Sequence, residues 1–178
     1  MTAKFADAAL AWPGVKPPFA AVYFDCDSTL CAIEGVDELL ATADPVLRRE
    51  IAHMTEQAMD GHLPLAEVYE RRLSLLAPTR VDVEALGARY AAALVPDAHA
   101  TVAALQFLGK RVGIVSGGLA IPVRAVAAVL GIAPADAHAV GVEFTKDGRY
   151  VDFDRSSPLW RNGGKVELLR QLPREHHP

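Results

Sequence analysis

Asp25-Cys26-Asp27-Ser28-Thr29 sets two carboxylates two residues apart, directly after an apolar run. At the carboxyl end of a buried strand such a pair shares one crevice. One carboxylate can then serve as nucleophile and metal ligand, the other as general acid and base. The same residue types also make an ordinary turn. Ser116-Gly117-Gly118 follows a second apolar run. A hydroxyl, backbone N–H groups and the absence of Cβ atoms suit phosphate oxygens there, and equally a plain strand-to-helix connection. Gly163-Gly164-Lys165 opens a third segment. A cation at a helix N-terminus opposes the helix dipole. A bound anion accounts for it, and so does a solvated side chain.

The elements that must position these residues are legible from pattern. Residues 19–24 are six consecutive apolar residues, which predicts a parallel strand buried on both faces. Residues 35–92 carry helical signals and no strand signal. Asp44-Pro45 starts a helix to about Met59, residues 65–76 repeat apolar positions at helical period, and Thr79 caps a helix to about Ala92. Alternation then resumes. A helix follows Asp97, a strand spans 112–115, a helix spans 119–130 and a strand spans 137–142. Residues 143–154 read as a hairpin turning at Lys146-Asp147-Gly148, and a last helix covers 165–172. This order predicts an α/β fold with a doubly wound, Rossmann-like parallel sheet. The core is expected at residues 1–34 and 93–178, with a helical cap at 35–92; residues 1–18 read as a lead-in.

Composition narrows the function classes. The 178 residues are 51% hydrophobic and 22% charged, which suits a globular chain. Eighteen Lys and Arg against 22 Asp and Glu leave a net charge of −4, with no basic excess for nucleic acid. The most apolar stretch, 112–135, is interrupted by glycines, Pro122 and Arg124, so no membrane span is expected. The first residues lack the pattern of a signal peptide. Cys26 and Cys31 form no CxxC pair and read as two free thiols in a reducing cytoplasm. The histidines, including the adjacent His176 and His177, show no convincing ligand spacing.

In combination, the acid pair, the Ser-Gly after a second strand and the later Lys resemble the haloacid dehalogenase superfamily. FDCDST is similar to its DxDxT first motif, Ser116 to its second-motif hydroxyl and Lys165 to its third-motif lysine. The helical segment stands where that family carries a mobile cap. The resemblance narrows to the phosphoserine phosphatases through Ile33-Glu34-Gly35-Val36-Asp37-Glu38-Leu39, Met54-Thr55, Ala58-Met59, Pro64, Arg72-Leu73, Ser116-Gly117-Gly118 and the Gly-Gly-Lys-Val run at 163–166. It implies that Asp25 is the nucleophile, forming an aspartyl-phosphate, and that Asp27 is the general acid and base. It further implies that Asp25 and Asp27 hold Mg²⁺, and that Ser116, Gly117 and Lys165 contact the phosphate. Glu34, Met59 and Arg72 are implied to contact the rest of the substrate. A carboxylate at Glu34 suits an ammonium group and a guanidinium at Arg72 suits a carboxylate.

The implied partner is a small phosphate ester, phosphoserine, in serine biosynthesis, with no nucleic acid or membrane; a homodimer stays open. A related small-molecule phosphatase or phosphotransferase, or a non-catalytic phosphate binder, is the competing reading. Two departures stand out. Asp60 occupies a position where the family usually has Gly. After Lys165 the only acids are Glu167 and Glu175, so the fourth, acidic-loop motif is not found before residue 178. The expectation is a chain truncated before that motif, with one Mg²⁺ carboxylate fewer and an exposed edge on the first strand.

Overall fold

The computed structural model describes residues 19–172, apart from 42 and 61. The lead-in at 1–18 and the tail with Glu175, His176 and His177 lie outside the described residues. Three strands, β1 (Ala21–Phe24), β2 (Arg111–Leu119) and β3 (Ala137–Val140), form a parallel sheet in the order β1-β2-β3. Among the described residues β1 pairs with β2 alone, and its four residues are half-buried. Six apolar residues in a row suggest burial on both faces; lying at the edge of the described sheet, the strand is only partly covered.

The chain leaves β1 through the Asp25–Thr29 turn and enters a run of four helices. These are α1 (Gly35–Leu40), α2 (Pro45–Met59), α3 (Leu65–Leu76) and α4 (Arg80–Ala92). The caps follow the sequence signals. Asp44 accepts the Val46 N–H at 2.7 Å, and Thr79 and Asp82 complete a reciprocal capping box around the start of α4. Helix α3 stops at Ala77, whose φ of 38° is left-handed, just before Pro78. Helix α1 has no separate counterpart in the sequence pattern; at six residues it is too short to show a period.

Helix α5 (Ala98–Phe107) leads into β2, and α6 (Ala120–Val129) packs on β2, β3 and α4. Strand β2 runs to Leu119, four residues beyond the end expected from its apolar run. Its pairing with β3 is irregular between Val115 and Leu119, so Ser116, Gly117 and Gly118 belong to a bulged strand end. The single strand expected at 137–142 is divided at Gly141, and β4 (Val142–Phe144) starts a separate antiparallel hairpin with β5 (Tyr150–Phe153). A short 3-10 turn, Pro158–Trp160, precedes the last helix, α7 (Gly164–Gln171).

Two apolar clusters result. The larger joins the strands to α4, α5 and α6 and includes Leu86, Val102, Ile114, Val123, Val140 and Phe153. The smaller lies between α2 and α3, with Ile51, Met54 and Val68 at its centre. Helix α3 serves both, because Leu73 belongs to the first and Val68 to the second.

Candidate active site

Asp25 follows the last residue of β1, so its side chain emerges at the carboxyl end of the sheet. Its Oδ1 accepts the Cys26 N–H at 2.8 Å. Its Oδ2 is paired with the Lys165 ammonium, which projects from the first turn of α7. Gly163, in the left-handed region at φ 77°, begins that helix. Gly164 lets it approach closely, since a Cβ there would stand 1.7 Å from the Pro158 carbonyl oxygen. The two glycines before Lys165 therefore set where the ammonium lies.

Asp27 is held from three directions. Its Oδ1 accepts the Gly35 N–H at 3.0 Å and the Tyr90 hydroxyl. Its Oδ2 accepts the Ser116 hydroxyl at 3.2 Å. Ser116 is fully buried, and its Oγ in turn accepts the Gly118 N–H at 2.9 Å. A Cβ at Gly118 would fall 2.7 Å from Asp27 Oδ2, so the bulged end of β2 must be bare of side chain at this point. Burial, then the hydrogen bond to Asp27, raise the Tyr90 phenol above its ordinary value.

Asp25, Asp27, Ser116, Gly118 and Lys165 line one cavity of about 530 Å³, which Glu34 and Arg72 line as well. Glu34 precedes α1 and accepts the Ser28 hydroxyl at 2.5 Å. Ser28 itself has a left-handed φ of 50°, which bends the chain back after the acid pair. Arg72 comes from α3. Burial lowers its guanidinium from the ordinary arginine value, and the Asp37 and Glu34 carboxylates oppose that shift. Arg72 Nε and the Tyr69 hydroxyl are buried without a hydrogen-bond partner among the described residues, and both residues line the cavity. Buried donors are as a rule satisfied, so two orphans on one wall suit a ligand with acceptor oxygens. Tyr69 stacks edge-on against Phe153, with ring centroids 5.3 Å apart, and this fixes the ring. Arg72 also borders a second cavity of about 620 Å³ beside His62 and Asn162, so the two spaces adjoin.

The structure gathers Asp25, Asp27, Glu34, Arg72, Ser116, Gly117 and Lys165 around this one cavity. Met59 ends α2, and the placement of its side chain lies outside the described residues. Sequence reasoning missed Tyr90, Gly35, Tyr69 and the 160–162 loop. Gly35 stands beside Glu34 and its glycine was the available signal; a Tyr inside a helix carries none. The Asp25 carboxylate and the Asp27 backbone carbonyl are hard oxygens of the kind that Mg²⁺ takes together with substrate phosphate and water. Among the described residues no group of three or more His, Cys, Asp and Glu side chains is assembled for a metal ion. No described helix is long and apolar enough to cross a membrane.

A parallel sheet with an acid pair after its first strand, a hydroxyl at the end of the next and a lysine at a later helix start defines a class. The chain belongs to the haloacid dehalogenase-like hydrolases, whose family pattern matches residues 22–178. It is 35% identical over 157 residues to a phosphoserine phosphatase of Mus musculus, covering 88% of this chain and 69% of that protein. It is 33% identical to a phosphoserine phosphatase of Homo sapiens over the same shares. A solved substrate-bound phosphoserine phosphatase complex superposes with a TM-score of 0.69 at 28% identity, over 88% of this chain and 71% of that one. Within the family, this is a phosphoric monoester hydrolase of the phosphoserine phosphatase type.

Proposed function

We propose that the chain hydrolyses O-phospho-L-serine to L-serine and phosphate through an aspartyl-phosphate, with Mg²⁺, as a step of serine biosynthesis in the cytoplasm. The observation that carries this reading is one cavity lined both by groups suited to a phosphate and by groups suited to an amino acid. Asp25, Asp27, Ser116 and Lys165 are the first set, and Glu34 and Arg72 the second. Phosphoserine carries a phosphate, an ammonium and a carboxylate. Glu34 offers acceptors to the ammonium, and Arg72 with Tyr69 offers donors to the carboxylate.

In this mechanism Asp25 attacks phosphorus, and the serine oxygen leaves with a proton from Asp27. Asp27 then takes a proton from the water that opens the aspartyl-phosphate, returning Asp25 to its starting state. Lys165, Ser116 and the backbone of Gly117 offset charge on the phosphoryl oxygens. Asp25 and the Asp27 backbone carbonyl would hold Mg²⁺, which would supply further positive charge to that group. Residues 35–92 serve as the cap over a core of 1–34 and 93–178. Because α4 packs on α6, α2 and α3 are the part of this cap best able to move and exclude water. Met59 is read as a further contact to the serine end.

The test is phosphate release from L-phosphoserine by the purified chain, with Mg²⁺, with chelator, and in Asp25→Asn. Mg²⁺-dependent release that disappears in Asp25→Asn is the expected result. Binding of phosphoserine by calorimetry with no turnover under any condition would sink the enzymatic reading in favour of a phosphate-binding protein.

A further inference from the structure

Tyr90 is among the largest fully buried side chains, at 1% exposure. Its ring belongs to the main apolar cluster, yet its hydroxyl ends on Asp27 Oδ1. A buried phenol needs a partner, and any carbonyl would satisfy it. Here the partner is the carboxylate read as the acid and base of the reaction. The Gly35 N–H donates to the same oxygen at 3.0 Å. With two donors already on Oδ1, a proton on this carboxyl belongs on Oδ2. That is the oxygen beside Ser116 and Gly118, on the wall of the cavity.

A second observation meets the first. A Cβ on Gly35 would lie 2.4 Å from the Tyr90 hydroxyl oxygen. The phenol therefore reaches Asp27 through space that only glycine leaves open at position 35. The bare position and the phenol come from opposite ends of the helical segment, and together they form one device.

We propose that Tyr90 is a positioning residue for phosphoryl transfer: by donating to Oδ1 of Asp27 it turns the carboxyl so that Oδ2 delivers the proton to the departing alcohol oxygen. This rests on the reading of Asp27 as general acid. The proton leaves Oδ2 for the ester oxygen as the bond from phosphorus to that oxygen breaks and the bond from Asp25 to phosphorus forms. Asp27 is left as a carboxylate, with the Tyr90 and Gly35 donors still on Oδ1. General acid catalysis contributes about 10²- to 10⁴-fold, and a misaligned acid forfeits part of it.

The test compares kcat/KM for two esters in Tyr90→Phe, which keeps the ring and its packing. Phosphoserine has an alkoxide leaving group that needs the proton; p-nitrophenyl phosphate releases a phenolate that does not. This ratio reports the steps through departure of the leaving group, so opening of the aspartyl-phosphate does not enter it. The expected result is a loss of about tenfold or more on phosphoserine with p-nitrophenyl phosphate within about threefold. Gly35→Ala, which displaces the phenol from the other side, is expected to reproduce that selectivity. Equal losses on both esters, or no loss, overturn the proposal. Crystal structures of wild type and Tyr90→Phe supply a readout without turnover. A rotated Asp27 carboxyl in the variant supports the proposal, and an unmoved one overturns it. If wild type shows no hydrolysis that depends on Asp25, the functional reading itself fails, and the role in catalysis falls with it.

Discussion

Lys165 pairs with Asp25 Oδ2 across 140 residues of chain, joining the start of α7 to the end of β1. A lysine in the first turn of a helix opposes the dipole, and the carboxylate offsets that cost. The pair is partly exposed, so its worth to folding is small, about 1 kcal/mol or less. In the proposed reaction its worth to a phosphoryl group is larger. Lys165→Ala is expected to lower kcat/KM for phosphoserine by about 10²- to 10³-fold while leaving the thermal midpoint within a few degrees. Steady-state kinetics and thermal melts on the same sample check both halves.

On the proposed reading, Arg72 and Glu34 divide the serine end between them. Arg72→Ala is expected to raise KM for phosphoserine by about ten- to hundredfold, the range of one lost charge-assisted contact. Phosphoethanolamine, which lacks the carboxylate, should lose almost nothing in the same variant. An equal loss on both esters would remove Arg72 from substrate recognition and leave it a role in the cap alone.

Gly164 tests how tightly α7 is placed. Its Cβ would meet the Pro158 carbonyl oxygen at 1.7 Å, and backbone on both sides must shift to make room. Gly164→Ala is expected to cost about 2 kcal/mol or more in urea unfolding. It should also lower activity, because Lys165 follows in the chain. Full stability in this variant would contradict the packing described for the start of α7.

His138 gives the fold a pH dependence of definite sign. Burial lowers its pKa from 6.5; Asp136 opposes that shift, and Arg111 adds to it. Its Nε2 is buried without a hydrogen-bond partner among the described residues, which agrees with a neutral ring. The unfolded chain therefore binds this proton more readily than the folded one. Stability contributed here is full above pH 6.5, falls as pH drops below it, and levels off once the folded ring is protonated. Urea titrations at several pH values should show that fall in wild type and a smaller one in His138→Gln.

What could be read from the sequence was local. Asp44-Pro45 and Thr79 announce helix starts because a cap is decided within four residues. Asp25, Ser116 and Lys165 announce themselves because each stands where a strand or helix begins or ends. Tyr90 could not be found this way. It meets Asp27 across 63 residues, and a tyrosine in an apolar helix pattern reads as core, which its ring is. The extension of β2 through Ser116-Gly117-Gly118 was hidden for a related reason. Glycines signal a break locally, whereas here both stay in the strand; Asp27 leaves no room for a Cβ at Gly118, and one at Gly117 would stand 3.2 Å from the Leu159 carbonyl oxygen. The half-burial of β1 depends on which strands lie beside it, and an apolar run cannot state that.

The small cluster of Ile51, Met54 and Val68 holds α2 against α3 apart from the larger cluster. Arg72 rides on α3, while Asp25, Asp27 and Ser116 are anchored to the sheet. On the proposed reading, selectivity and reactivity rest on two clusters that meet in α3, whose Leu73 belongs to the larger one. Substitutions that repack the helix pair can retune which ester is admitted without disturbing the groups that break the phosphate bond. A lineage built on this chain has room to change its diet while keeping its chemistry.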